Sequence, residues 1–230
     1  VSDYYAERMC RYLELPGAKV DVGPLGINVT GYQPARREGR IPDNFVVGYF
    51  GRIAREKGIH LLLDAFHELK TRMRQDAVAL RIAGYVGPEH RGYLEELKRQ
   101  VEEWGLSSAV SFDGTLDQPQ KAKFYRELDL FAMPAIYDDP KGLALLEAMA
   151  CGTPVITTTS SSLPEVAGDA GLLVTPGDYH QLASVMIDLT KSSGQRQFLH
   201  DAGLVRASHF SWDVTAHKCL EAYRAALGQA

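Results

Sequence analysis

Two stretches of this sequence hold residue types that do chemistry, at spacings that matter. The first is DDPKGLALLEAMACGTP, residues 138–154. Positions 143–150 read as a helix, because Leu, Ala and Met, all strong helix formers, fill it almost throughout. Asp139 before Pro140 suits a helix start, since Asp caps free N–H groups and Pro fits a first turn. Gly152 and Pro154 suit the stop. One charge, Glu147, sits inside this apolar run. Its neighbours a turn away are Leu143, Ala144, Ala150 and Cys151, so it belongs to no polar stripe. An ionised carboxylate on an apolar helix is costly unless something binds it. Glu147 is therefore expected to have a partner, and a carboxylate can accept two hydrogen bonds from a vicinal diol such as a ribose. Gly142 would let a ligand come close to the free N–H groups of the helix start. Asp139, at the helix entrance, is either a cap or a contact to a sugar hydroxyl. Spacing leaves both open.

The second stretch is Gly51-Arg52-Ile53-Ala54-Arg55-Glu56-Lys57-Gly58, three cations between two glycines. It follows a strand and opens a helix. Free helix N–H groups together with Arg and Lys favour a phosphate; the alternative is a solvated basic turn. Neither GxxxxGK[ST] nor GxGxxG is present, and without a dinucleotide fingerprint after the first strand an oxidoreductase is disfavoured. The seven histidines are scattered and form no metal-ligand cluster. His60 and His67 are expected to be solvated or packed.

The elements that must position these stretches follow from periodicity. Residues 2–15 read as an amphipathic helix, and 19–22 as a short strand before a turn-rich segment. From residue 45 short apolar strands (45–50, 80–83, 110–112, 130–133, 155–158, 171–174) alternate with helices (59–74, 92–104, 119–128, 143–150, 179–190, 194–207, 212–227). A short helical turn at LPEVAG is also expected. Such alternation means βαβ units and a doubly wound, mainly parallel sheet, with ligands at the carboxyl ends of its strands.

At 230 residues, with 45% hydrophobic and 23% charged residues, the chain suits a globular protein with a sizeable core. A formal net charge of −4 argues against a general nucleic-acid binder. Three cysteines far apart, Cys10, Cys151 and Cys219, point to a reducing compartment. No apolar run approaches the ~18 residues of a membrane-spanning helix. A start without Met or a signal-type apolar region suggests a fragment or a processed chain.

GRIAREKG, FDGTL, DDPKGLALLEAMACGTPVI and LPEVAGDAGLLV, in this order and spacing, resemble the donor-binding half of the group 1 (family 4) retaining glycosyltransferases. The resemblance runs from about residue 19 to the end. It implies a Rossmann-like sheet forming the C-terminal half of a GT-B fold, with residues 1–40 an inter-domain connection and 41–230 the nucleotide-sugar-binding domain. The implied reaction is transfer of a hexosyl group, with retention, from a nucleoside diphosphate sugar (UDP- or GDP-linked above all). The acceptor, of unknown identity, would be held by an N-terminal domain, so this chain alone would turn over little. By the same resemblance Arg52 and Lys57, beside Gly51, hold the diphosphate and offset leaving-group charge. Gly142 and Leu143 give backbone amides, Lys141 lies near the sugar, and Gly114, Thr115 and Leu116 lie by the nucleobase. Glu147 binds ribose as the second acid of the E-x7-E motif. Asp139 is the first acid, grouped with Arg52 and Lys57 as catalytic, and departs from the family's Glu. One methylene shorter, it moves the carboxylate by about 1 Å, which can cost on the order of 10²-fold where geometry matters. No metal or other cofactor is expected. The location implied is cytoplasmic, with any contact to the inner membrane face made through the other domain. Two further readings are a catalytically inactive nucleotide-sugar-binding module and another GT-B enzyme, such as a sugar-phosphate synthase or a 2-epimerase.

Overall fold

From Phe45 onward the chain builds the alternation that its periodicity predicts. The computed structural model describes residues 2–15, 20–34, 44–73 and 77–228. Six strands, β1 (Phe45–Phe50), β2 (Val78–Ala83), β3 (Val110–Gly114), β4 (Leu130–Met133), β5 (Val155–Thr158) and β6 (Gly171–Val174), form one sheet in the order β3-β2-β1-β4-β5-β6. Every pairing is parallel. β4 and β5 are buried along their whole length, as strands covered on both faces must be.

The flanking helices are α2 (Ile59–Met73), α3 (Arg91–Glu103), α4 (Gln118–Glu127), α5 (Leu143–Ala150), α6 (Leu163–Ala167), α7 (Tyr179–Lys191), α8 (Ser193–Ser208) and α9 (Trp212–Ala226). Of these α2 packs on α7, and α5 packs on α8, α4 and α6. α1 (Asp3–Tyr12) lies before the sheet. The Glu165 carboxylate accepts its first two amides, from Asp3 at 2.8 Å and Tyr4 at 2.7 Å. Arg8 pairs with Asp138, and the Tyr5 hydroxyl donates to the Asp138 carbonyl at 2.7 Å.

Two expectations are corrected. Residues 20–22 form no strand, and Lys19 lies outside the described residues. Among the described residues, 20–22 pair with none of the six strands, so their alternation meets no ladder of N–H and C=O groups. The chain just after it, residues 24–27, is held by α9 and the turn before that helix: Ile27 N donates to the Phe210 carbonyl at 2.8 Å and Thr215 Oγ1 to the Pro24 carbonyl at 2.8 Å. Nor do Asp139 and Pro140 begin a helix, since α5 starts at Leu143 with Gly142 as its N-cap at φ 54°. The expected boundary near residue 40 and the last residue of the 59–74 helix fall outside the described residues.

Gly58 is the backbone contact that sets the distance between the loops after β1 and β4. Its φ is +74°, and a Cβ there would lie 1.9 Å from the Pro134 carbonyl oxygen. Gly114 also has positive φ, 72°, but open space around it. Left-handed backbone costs an L residue about 1–2 kcal/mol. Gly114→Ala is therefore expected to lower stability by about that amount and Gly58→Ala by clearly more, since overpacking adds about 1–3 kcal/mol. Urea unfolding of the two variants checks this; equal losses would mean that the loops do not meet at Gly58.

Candidate functional site

A doubly wound sheet opens a crevice at the carboxyl ends of its strands where the strand order reverses. Here that point lies between β1 and β4, paired through Val47 with Leu130 and Gly48 with Phe131. The loop after β1 and the loop after β4 flank it. Both stretches singled out in the sequence therefore reach the same crevice. They are tied together by Ile136 N donating to the Glu56 carbonyl at 3.0 Å.

At this junction Lys57 Nζ lies 2.7 Å from Asp139 Oδ2 and 2.5 Å from the Tyr137 hydroxyl oxygen. The Tyr137 hydroxyl donates to Asp139 Oδ2 at 2.8 Å. Asp139 Oδ1 accepts from the backbone N–H of Lys141 at 3.1 Å and of Gly142 at 3.0 Å. Asp139 thus caps the approach to α5 and binds Lys57 at once. A carboxylate has about four acceptor positions, and these four donors fill them. Burial alone would raise the Asp139 pKa, but the Lys57 hydrogen bond and charge, with the two amides, outweigh it and hold the carboxyl at about 2. Burial, then the Asp139 charge, pushes the Tyr137 phenol well above its usual range.

Of the other cations in the first loop, Arg52 is exposed and pairs with Glu56 at 2.8 Å. Arg55 turns away to pair with Glu96 of α3. Gly51 is half-buried beside the Tyr49 hydroxyl. Gly142 is buried, and its own amide is committed to Asp139. Its φ of 54°, with Val166 and Leu163 of α6 only 3.2 and 3.3 Å from where a Cβ would lie, explains the glycine. Leu143 is half-buried and Lys141 exposed. Gly114 and Thr115 are exposed, Leu116 half-buried, and the Gly114 carbonyl accepts from Gly84 N at 2.8 Å after β2.

Glu147 has partners, and those the structure shows belong to the chain itself. Oε1 accepts from Lys121 Nζ at 2.6 Å and from the Tyr32 hydroxyl at 2.7 Å. Oε2 accepts from the Tyr125 hydroxyl at 2.9 Å. The Lys121–Glu147 pair is largely buried, with side chains 17% and 14% exposed. Lys121 Nζ also lies 5.5 Å from the centre of the Phe50 ring, which links this cluster to the residue before Gly51. Sequence reasoning missed Tyr32, Lys121, Tyr125 and Tyr137. Lys121 and Tyr125 stand four apart on α4, a spacing that puts them on one helix face, and that signal was available. Tyr32 carries none, being 115 positions from Glu147.

His60 and His67 are packed as expected: the Tyr93 hydroxyl is 2.9 Å from His60 Nδ1, and His67 stacks on Trp104 with ring centres 4.3 Å apart. Among the described residues no group of three or more His, Cys, Asp or Glu is arranged to hold a metal ion. No helix among them is long and apolar enough to cross a membrane.

Comparison with known proteins gives the family and agrees with the fold. Residues 33–204 match the family of glycosyl transferases group 1, and the chain belongs to that family. It is 35% identical over 212 residues to a D-inositol 3-phosphate glycosyltransferase of Corynebacterium jeikeium, covering 90% of this chain and 50% of that protein. The chain spans about half the length of the curated relatives it matches. Among solved structures, a sucrose-phosphate synthase from Thermosynechococcus elongatus superposes with a TM-score of 0.83 at 26% identity, over 100% of this chain and 58% of that one. HepE of Anabaena, solved with UDP and glucose, superposes with a TM-score of 0.75 at 25% identity, over 85% and 55%. The sheet and its flanking helices are those of the C-terminal half of a GT-B glycosyltransferase.

The low Asp139 pKa has a consequence for stability. A carboxyl whose pKa falls on folding adds stability above its unfolded value and loses it as pH drops through the folded value. For Asp139 the window runs from about 4 down to about 2, and the contribution is about 2 kcal/mol. The stability gap between the native chain and Asp139→Asn should therefore narrow across this window. Urea unfolding at about pH 6 and about pH 2.5 measures it; a constant gap would show that the Lys57 pairing is not its source.

Proposed function

We propose that this chain is the donor half of a retaining glycosyltransferase, binding a nucleoside diphosphate sugar whose hexosyl group goes to an acceptor on an N-terminal domain. The observation that carries the reading is the crevice between β1 and β4. Arg52 and Lys57 stand in the loop after β1, and the loop after β4 runs through Asp139, bound to Lys57, into α5, the helix that carries Glu147. Arg52 and Lys57, beside Gly51, hold the diphosphate and offset the charge that grows on it as the glycosidic bond breaks. Leu143 offers its backbone amide to phosphate or sugar beside Gly142, whose own amide is held by Asp139, and Lys141 stands at the sugar end. Glu147 takes the ribose, and Gly114, Thr115 and Leu116 border the base. UDP is the leading nucleotide because HepE, similar along most of the chain, is solved with it; GDP is the alternative. The reading asks for no metal, because Arg52 and Lys57 supply the positive charge.

Asp139 stands where a sugar hydroxyl would arrive, with its acceptor positions filled by Lys57, Tyr137 and two amides. It meets a sugar only by releasing one of them, and otherwise acts by positioning Lys57. This filled carboxylate favours, as the second reading, a module that binds donor without transferring it. The domain division that goes with the proposal puts residues 1–40 in the connection and 41–230 in the donor domain. Its setting is the cytoplasm, with the N-terminal domain making any contact to the inner membrane face.

Arg52→Ala and Lys57→Ala are expected to weaken UDP by about 1.5–3 kcal/mol each, as lost charge-assisted bonds do, and uridine far less. Calorimetric titration with both ligands checks this. Equal losses for UDP and uridine would remove the loop from the phosphate role. Transfer or hydrolysis of UDP-glucose by the whole protein separates the first reading from the second, which requires that neither occurs.

A further inference from the structure

Glu147 is the carboxylate assigned to the ribose, yet most of its capacity is already used. It has about four acceptor positions, two on each oxygen. Lys121 and Tyr32 fill both on Oε1, and Tyr125 fills one on Oε2. Among the described residues this leaves one position, on Oε2. A ribose offers two neighbouring hydroxyls. Resting on the donor-site reading above, we infer that Tyr32 restricts Glu147 to a single ribose hydroxyl and so determines which of the two is recognised.

Each donor is held firmly enough for the restriction to last. Tyr125 is wholly buried, within the core. Lys121 is the cation that compensates a largely buried carboxylate, and parting such a pair leaves an unpaired charge out of water. Tyr32 is 3% exposed. Its ring meets that of Tyr125 edge-on at 6.1 Å between centres, and Lys121 Nζ lies 5.4 Å from its ring centre. The phenol has one proton. Glu147 Oε1 at 2.7 Å competes for it with Gln118 Oε1 at 3.2 Å, and the shorter, charge-assisted bond takes it. Burial and the neighbouring carboxylate keep that proton on the phenol. Tyr32 is also the one donor of the three that comes from the segment ahead of the sheet, so ribose recognition draws on the connection as well as on the domain.

The test is calorimetric titration of the chain with UDP, 2′-deoxy-UDP and 3′-deoxy-UDP, repeated on Tyr32→Phe. Phe keeps the ring packing and removes only the hydroxyl, which frees one position on Oε1. For the native chain one deoxy analogue should bind about tenfold or more weakly than UDP, the loss expected for a hydrogen bond to a charged acceptor, while the other binds as UDP does. In Tyr32→Phe both analogues should bind more weakly than UDP. Equal losses for both analogues with the native chain would overturn the inference and leave the donor site standing. An unchanged pattern in Tyr32→Phe would also overturn it, because Tyr32 would then not be the restricting group. No loss with either analogue would remove Glu147 from ribose binding. Failure of the native chain to bind UDP, with GDP titrated beside it and not bound either, would overturn the donor-site reading, and the inference with it.

Discussion

The ion pair between Lys57 and Asp139, 2.7 Å apart at the carboxyl edge of the sheet, is the contact on which the rest of the site depends. A buried carboxylate must be paired, since removing one partner of such a pair commonly costs about 3–5 kcal/mol. Asp139 meets this demand with Lys57 from the loop after β1, the Tyr137 hydroxyl, and two amides at the approach to α5. One side chain thereby locks the position of a cation, the path of a loop and the start of a helix. Gly58 makes the approach possible from the other side, having no Cβ to meet the Pro134 carbonyl.

The same requirement recurs at Glu147 with a different solution. Its partners come from α4 and from the segment ahead of the sheet. Lys121 and Tyr125 bind the facing sides of α4 and α5, and Tyr32 ties the segment ahead of the sheet to them. α1 adds a second tie, through Glu165 of α6 and Asp138 next to Asp139. In the donor-site reading, both ends of the bound nucleotide sugar then touch residues whose positions the segment ahead of the sheet helps to hold.

Much of this was legible in the sequence. The bounds read for β1, β4, β5, β6 and α5 coincide with those of the structure. Short apolar strands and an uninterrupted Leu-Ala-Met run leave few alternatives. That Glu147 needs a partner was equally legible, because one carboxylate among apolar neighbours has no local way to be satisfied. Which groups satisfy it was not, since Tyr32 and Lys121 reach it through tertiary packing alone. Residues 20–22 misled for a related reason: alternation marks a strand only where a neighbouring strand offers free N–H and C=O groups. Asp139 before Pro140 showed a cap correctly, but the cap serves a loop three residues ahead of the helix, and its second role, binding Lys57, needed the fold.

Amide hydrogen exchange with and without UDP tests the central claim most directly, because it reports where the nucleotide sits on the chain. The account predicts slowed exchange in the loop after β1, residues 51–58, and across the start of α5, residues 142–147, with little change on α8 and α9. Protection confined to α8, α9 or other surfaces away from the crevice between β1 and β4, at UDP concentrations that saturate binding, would contradict it.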